Sequence, residues 1–305
     1  MKYIIKSNYN TSLFHVIDSI SKWDEHVDDH NYTWFKKRFY LSQEDKELLL
    51  GYSTYRKKLG WNKESELLNW AFNGYRGTKH RKIWKAIEHF ENKKSRSGKL
   101  LSEYLFRKQA QISKYIPKIE SKFKMKKYNI NSLVIISPKK KKYKEIQIFL
   151  TPSFDKYAYQ AGANGYGIIV ELPGRIRERE IMSVLMHELF HKVGRLREYF
   201  ARHPNKRTRK FLKKINKNTL YSNNADILDE IFAYSLTNHY INKENPGEKI
   251  RNYKKLSMVR ERNYMVNIWK GVKMLAPRII NFLQKKSEPE IFVNEMVYEY
   301  RKELL

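Results

Sequence analysis

For about the first 124 residues, apolar side chains recur every three to four positions, a spacing that predicts amphipathic helices. In Leu41-Ser-Gln-Glu-Asp-Lys-Glu-Leu-Leu-Leu50, Ser42 followed by acids marks a helix start. Trp23, Trp34, Trp61, Trp70 and Trp84 fall in this stretch and predict an aromatic core rather than a ligand platform. Asn92-Lys-Lys-Ser-Arg-Ser-Gly-Lys99 has no apolar residue and reads as a linker, with a helix expected over 100–123. The pattern then changes to short β-rich runs at Ser132–Ser137, Glu145–Thr151 and Gly167–Leu172. Asn164-Gly165 predicts a turn joining Tyr157–Gln160 to the run Ile168–Glu171. Helical spacing returns afterwards and holds to the C-terminus. Helices, a small sheet and helices again give an α+β, mostly helical fold rather than alternating βαβ units. The change of pattern divides the chain into an N-terminal helical region, 1–124, and a second domain, 125–305.

Composition narrows the function. The 305 residues include no Cys, which excludes a disulfide scaffold, a thiol nucleophile and Cys-ligated zinc or iron–sulfur sites. No apolar run approaches the roughly 18 residues of a membrane span. The opening Met1-Lys-Tyr-Ile-Ile-Lys6 has too short an apolar stretch for a signal peptide, so a cytoplasmic location is expected. Lys and Arg outnumber Asp and Glu by 62 to 32, for a formal charge of +30, which predicts attraction to nucleic acid, anionic surfaces or acidic protein. The densest clusters are Lys139–Lys142, expected at a hairpin tip, and Arg202–Lys217. Each reads first as a solvated Lys-rich surface and second as an anion-binding face.

The sharpest chemical signal is Val184-Leu-Met-His-Glu-Leu-Phe-His-Lys-Val193. On a helix His187 and His191 share a face, so both imidazoles can converge on one ion while Glu188 points beside it. Two imidazoles and a third protein ligand can hold Zn²⁺ and leave a position for water, whose pKa the metal lowers toward about 7. Glu188 can accept that water's proton. The surrounding Ile181, Met182, Leu185, Met186, Leu189 and Phe190 predict a buried helix. Two buried His without a shared partner would be costly, which favours a metal over a chance match.

This segment resembles the zincin metallopeptidases, with Val184 at a position they usually fill with a β-branched residue and Lys192 departing from their uncharged surroundings. The resemblance covers about residues 130–240 and implies a small mixed sheet packed on the His-Glu-x-x-His helix. Glu230-Ile-Phe-Ala233, in the helical run from Asp226 to Leu236, is similar to the third-ligand helix of the lethal-factor-like gluzincins. By that likeness Glu230 is the third zinc ligand, and Ala233 lets the two helices approach. Asp226, one turn earlier, is a candidate to orient a ligating His or to ligate itself. Where many gluzincins carry an acid four residues after the Glu, this chain has Tyr234. Tyr221 is the implied oxyanion donor, with Tyr234 and His239 as alternatives. Gly167–Glu171 is the implied edge strand that would pair with an extended substrate.

Other readings remain open. Gly194 fits the metzincin pattern, but Arg197 stands where that pattern needs a ligand, and a guanidinium cannot ligate zinc. His203 as third ligand would look like the SprT-like proteases that act on nucleoprotein, although Pro204 follows it. The leading expectation is a zinc-dependent peptidase acting on peptide or protein. The alternatives are a basic, nucleic-acid-associated protein, or a domain whose zinc site is structural or absent.

Overall fold

A computed structural model describes residues 2–24, 29–75, 80–124, 145–157, 159–164, 167–194, 224–285 and 298. The fold is α+β, mostly helical, with a small mixed four-stranded sheet. The chain forms two compact units. The first comprises residues 1–125 with 144–185; the described part of the second starts at Met186. This differs from a division at 124/125, because the strands after residue 144 pack with the N-terminal helices instead of starting a separate body.

In the first unit, β1 (Lys2–Lys6) is followed by α1 (Tyr9–Ser21), α2 (Asp29–Arg38), α3 (Gln43–Leu59), α4 (Glu64–Phe72), α5 (Arg81–Glu91), α6 (Leu101–Ser113) and α7 (Ile116–Lys124). Ser42 caps α3 as its sequence predicts: its hydroxyl accepts from the Asp45 N–H, and Asp45 accepts from the Ser42 N–H. The single helix expected over 100–123 is instead α6 and α7. Pro117 has no N–H to bond the carbonyl of Ser113, so the chain turns at Lys114-Tyr115 and restarts.

The sheet has the order β1-β2-β4-β3, with β2 at Glu145–Pro152, β3 at Gln160–Asn164 and β4 at Gly167–Leu172. The strands β1, β2 and β4 run parallel, and β3 closes one edge as the antiparallel arm of a hairpin. A hairpin is expected here, but its first arm is Gln160–Asn164, not Tyr157–Gln160. Gly167 is required by close approach: an added Cβ would come within 2.9 Å of the Ser65 hydroxyl and 3.3 Å of the Phe149 ring.

One expectation is overturned. Gly167–Glu171 is not an edge strand, because β4 is hydrogen-bonded to β2 on one side and β3 on the other. All six of its residues are buried, including Glu171, which is 3.0 Å from Nε2 of His15. With both backbone edges engaged, β4 cannot accept a substrate strand. The remaining expected strand, Ser132–Ser137, lies outside the described residues.

The helices α1 to α6 and the sheet residues Phe149 and Ile169 enclose one apolar core, to which Leu13, Phe14, Ile17, Phe35, Leu67 and Phe90 contribute. Trp34 belongs to it and Trp70 and Trp84 pack against it, so these indoles are core. Arg56, wholly buried, bonds Asp18 at 2.9 Å and the Gly60 carbonyl at 2.8 Å, forms an ion pair with Glu64, and lies over the Trp23 ring. Removing water from such a charge is tolerated only with this degree of compensation.

The helix α8 (Glu178–Gly194) buries Ile181, Met182, Leu185, Met186, Leu189 and Phe190, and its second half belongs to the other unit. There it is followed by α9 (Asn224–Thr237), a π-helical turn at Asn238–Asn242, α10 (Pro246–Tyr253) and the long α11 (Val259–Lys285). Ile227, Leu228, Ile231, Phe232 and Leu236 of α9 and Ile268, Trp269, Val272 and Leu275 of α11 are buried at helical spacing, which binds these two helices together. Among the described residues, no helix is long and apolar enough to cross a membrane.

Candidate metal centre

The site begins with the four-residue spacing of His187 and His191, which sets their rings on one face of α8 with centroids 4.6 Å apart. The Nε2 atoms are 3.0 Å from each other. The Glu230 carboxylate meets both: Oε2 is 3.2 Å from Nε2 of His187, and Oε1 is 3.4 Å from Nε2 of His191. The third ligand expected from sequence is therefore brought to the two histidines. Among the described residues, these three form the one group of His and carboxylate side chains with donor atoms close enough to hold an ion.

The donor set fits zinc. A tetrahedral ion with bonds of about 2.0–2.1 Å separates its ligand atoms by about 3.3 Å; the two imidazole nitrogens are 3.0 Å apart, and the carboxylate reaches each through a different oxygen, at 3.2 and 3.4 Å. Two imidazoles and a carboxylate leave one tetrahedral position for water or substrate. The side chains of His187, His191 and Glu230 are 15%, 15% and 18% exposed, so the cluster is sheltered yet reachable.

The unused nitrogen of His191 is engaged too. Its Nδ1 donates to Oδ2 of Asp229 at 2.8 Å, which fixes the ring and leaves Nε2 facing Glu230 and His187. Sequence reasoning assigned this orienting role to Asp226, whose side chain is outside the described residues. The available signal for Asp229 was its adjacency to Glu230: neighbouring helix positions lie about 100° apart, enough for one acid to meet Nε2 atoms while the other meets Nδ1. The His187 ring is held differently. Tyr234, one turn after Glu230, packs edge-on against it at 4.5 Å and is backed by Trp269 of α11 at 5.8 Å. Four residues after Glu230 the site thus has an aromatic ring rather than an acid.

Charge and burial set the protonation states. Burial alone would lower the His191 pKa, but the adjacent Asp229 and Glu230 carboxylates outweigh it and raise the value well above the usual imidazole range. Burial pushes Glu230 up, and the two histidines outweigh that and hold its carboxyl far below the usual range. Glu188, next to His187, is raised, first by burial and against the opposing pull of His191 and His187. A carboxylate with a raised pKa is a better proton acceptor than an ordinary one.

Tyr221, His203 and the basic segments 139–142 and 202–217 are outside the described residues. His239 lies in the π-helical turn, packed against Tyr240. No protein family, curated protein or solved structure matches this chain.

Proposed function

We propose that the protein is a zinc-dependent metallopeptidase of the zincin type, with His187, His191 and Glu230 as ligands and Glu188 as general base. The observation that carries this reading is the convergence of His187 Nε2, His191 Nε2 and the Glu230 carboxylate, from two separate helices, on spacings suited to one tetrahedral ion.

Zinc held there would acidify a water molecule and polarise the substrate carbonyl. Glu188 takes the proton of the attacking water and delivers it to the leaving amine nitrogen. Its elevated pKa makes it the stronger base for the first transfer. Asp229 keeps the His191 ring in the ligating orientation through Nδ1. Tyr234 limits rotation of the His187 ring. The oxyanion that forms as the carbonyl is attacked needs a hydrogen-bond donor, a role assigned to Tyr221, with the Tyr234 hydroxyl as the alternative.

The test combines elemental analysis with a peptide-library assay. Wild type should carry about one zinc per chain, and Glu230→Ala should lose most of it. Glu188→Gln should keep the metal and lose turnover. Normal cleavage by Glu188→Gln, or a wild type that takes up no zinc on reconstitution, would overturn the reading.

A further inference from the structure

The stretch 92–99, whose composition marks it as a linker, has a defined shape. Its turn is closed by Gly98 N–H donating to the Ser95 carbonyl at 2.9 Å and Ser95 N–H donating to the Lys99 carbonyl at 2.8 Å. Gly98 has φ +83°, a conformation that favours glycine. The turn is fastened to the end of α2 by Arg96 N–H, which donates to the Arg38 carbonyl at 2.7 Å. Main-chain bonds therefore bring Arg38 beside the segment that carries Lys94, Arg96 and Lys99.

All four of these side chains are exposed, and among the described residues none is in an ion pair with a carboxylate. The nearby acids have other partners: Asp45 takes His89 and Lys93, Glu91 accepts from the Tyr9 hydroxyl, and Glu103 accepts from the Leu100 N–H. Lys36 and Lys37, in the last turn of α2, are exposed as well. Favourable interaction with the end of a helix dipole accounts for the α2 cations, but not for those of the turn. Like charges fixed together without counterions repel one another, and an external polyanion relieves that repulsion.

The surface also presents groups that suit a nucleic acid strand. Ser97 and Tyr104 place their hydroxyls 3.3 Å apart at the turn. The Tyr104 pKa is lowered, first by hydrogen bonds from Ser97 and Ser95 and further by the positive charge of Lys99 and Arg38, so these cations act at one place. Arg38 is held over the Trp34 ring at 5.2 Å, and Tyr104 meets the same ring edge-on at 5.3 Å. Two residues beyond Arg38, Tyr40 is 71% exposed. An exposed aromatic ring beside fixed cations can stack on an unpaired base while the cations follow the phosphates.

We infer that the surface formed by the end of α2 and the 94–99 turn binds the sugar-phosphate backbone of single-stranded nucleic acid, through Arg38, Lys94, Arg96 and Lys99. This surface shares no residue with the proposed metal site and does not depend on peptidase activity. The sequence marks basic clusters elsewhere but treats this segment only as a connection.

The test is fluorescence anisotropy of the full chain with a labelled oligothymidylate and its RNA counterpart, across a salt series. Three proteins are compared: wild type, Arg38→Gln/Arg96→Gln/Lys99→Gln, and the equally discharged control Lys82→Gln/Lys85→Gln/Lys114→Gln. Wild-type affinity should fall steeply with salt. The surface variant should bind about tenfold or more weakly, with a log–log salt slope smaller by about 2 for three lost phosphate contacts, and the control should change less than about threefold. Independently of any variant, the oligonucleotide should protect Lys94 and Lys99 of the wild type from acetylation. Absence of salt-sensitive binding, equal weakening in both variants, or unprotected Lys94 and Lys99 would each overturn the inference. Binding through these residues to phosphatidylserine vesicles without oligonucleotide binding would overturn it in favour of a membrane surface.

Discussion

Oδ2 of Asp229 lies 2.8 Å from Nδ1 of His191, so the residue immediately before Glu230, the proposed third ligand, orients one of the two proposed histidine ligands. In the proposed site one helix would supply both a carboxylate for the ion and a carboxylate that orients a ligating imidazole. Asp229→Asn keeps the size of the side chain and removes its charge. Zinc affinity, measured by competition with a chromophoric chelator, should fall about 10- to 100-fold. Unchanged affinity would show that the contact has no influence on the metal.

The same carboxylate makes metal binding a proton exchange. Because Asp229 and Glu230 outweigh burial and raise the His191 pKa well above its usual value, metal-free His191 keeps its extra proton to higher pH than a free imidazole does. Zinc must displace that proton, so affinity should increase as pH rises toward the raised pKa and level off above it. Calorimetry in two buffers of different ionisation heat should detect about one proton released per zinc near pH 7. Asp229→Asn should release fewer. Identical heats in both buffers would contradict the assignment.

Tyr234 separates two roles by substitution. Its ring contact with His187 survives in Tyr234→Phe, whereas Tyr234→Ala opens space between His187 and Trp269. The Phe variant should therefore keep its zinc affinity. The Ala variant should bind zinc several-fold more weakly and lose about 2 kcal/mol of stability. If the Phe variant retains zinc but loses peptide turnover, the Tyr234 hydroxyl rather than Tyr221 is the oxyanion donor.

The two histidines and Glu230 were legible in the sequence because helical spacing translates directly into a shared face, and because the Glu230 segment resembles a known ligand helix. The Ser42 cap and the hairpin at Asn164-Gly165 were legible for a similar reason: a few adjacent residues contain the whole signal. Asp229 and Tyr234 were not assigned their observed contacts. Which neighbour of Glu230 reaches a histidine depends on how one helix is rotated against another, and no spacing along one helix encodes that rotation. Strand β1 was missed because five residues, Lys-Tyr-Ile-Ile-Lys, carry too little pattern and their partner lies far along the chain. The expected edge strand failed on the same point, since strand order is a property of the assembled sheet.

Acid should weaken the first unit at Asp45. Burial raises the Asp45 pKa, but hydrogen bonds from Lys93, His89 and Ser42 outweigh it and lower the carboxyl from 3.8 to about 2. A depressed pKa contributes stability above the unfolded value, and this contribution is lost as pH falls from about 4 to about 2. Asp45→Asn should accordingly cost about 1–2 kcal/mol at pH 6 and much less at pH 2, as read from urea unfolding followed by circular dichroism. A cost independent of pH would show that the ionised carboxylate is not the source.

Strand β1 pairs in register with Glu145–Phe149, so Lys2 and its neighbours meet their partner only after about 140 further residues. During synthesis the N-terminal helices leave the ribosome before their sheet exists. The apolar face that Phe149 and Ile169 will cover therefore stays open until translation has passed β4. Closing so long a loop is entropically slow, and the waiting helices are prone to association. A nascent chain stalled before residue 145 should depend on chaperones, and one released beyond α8 should not.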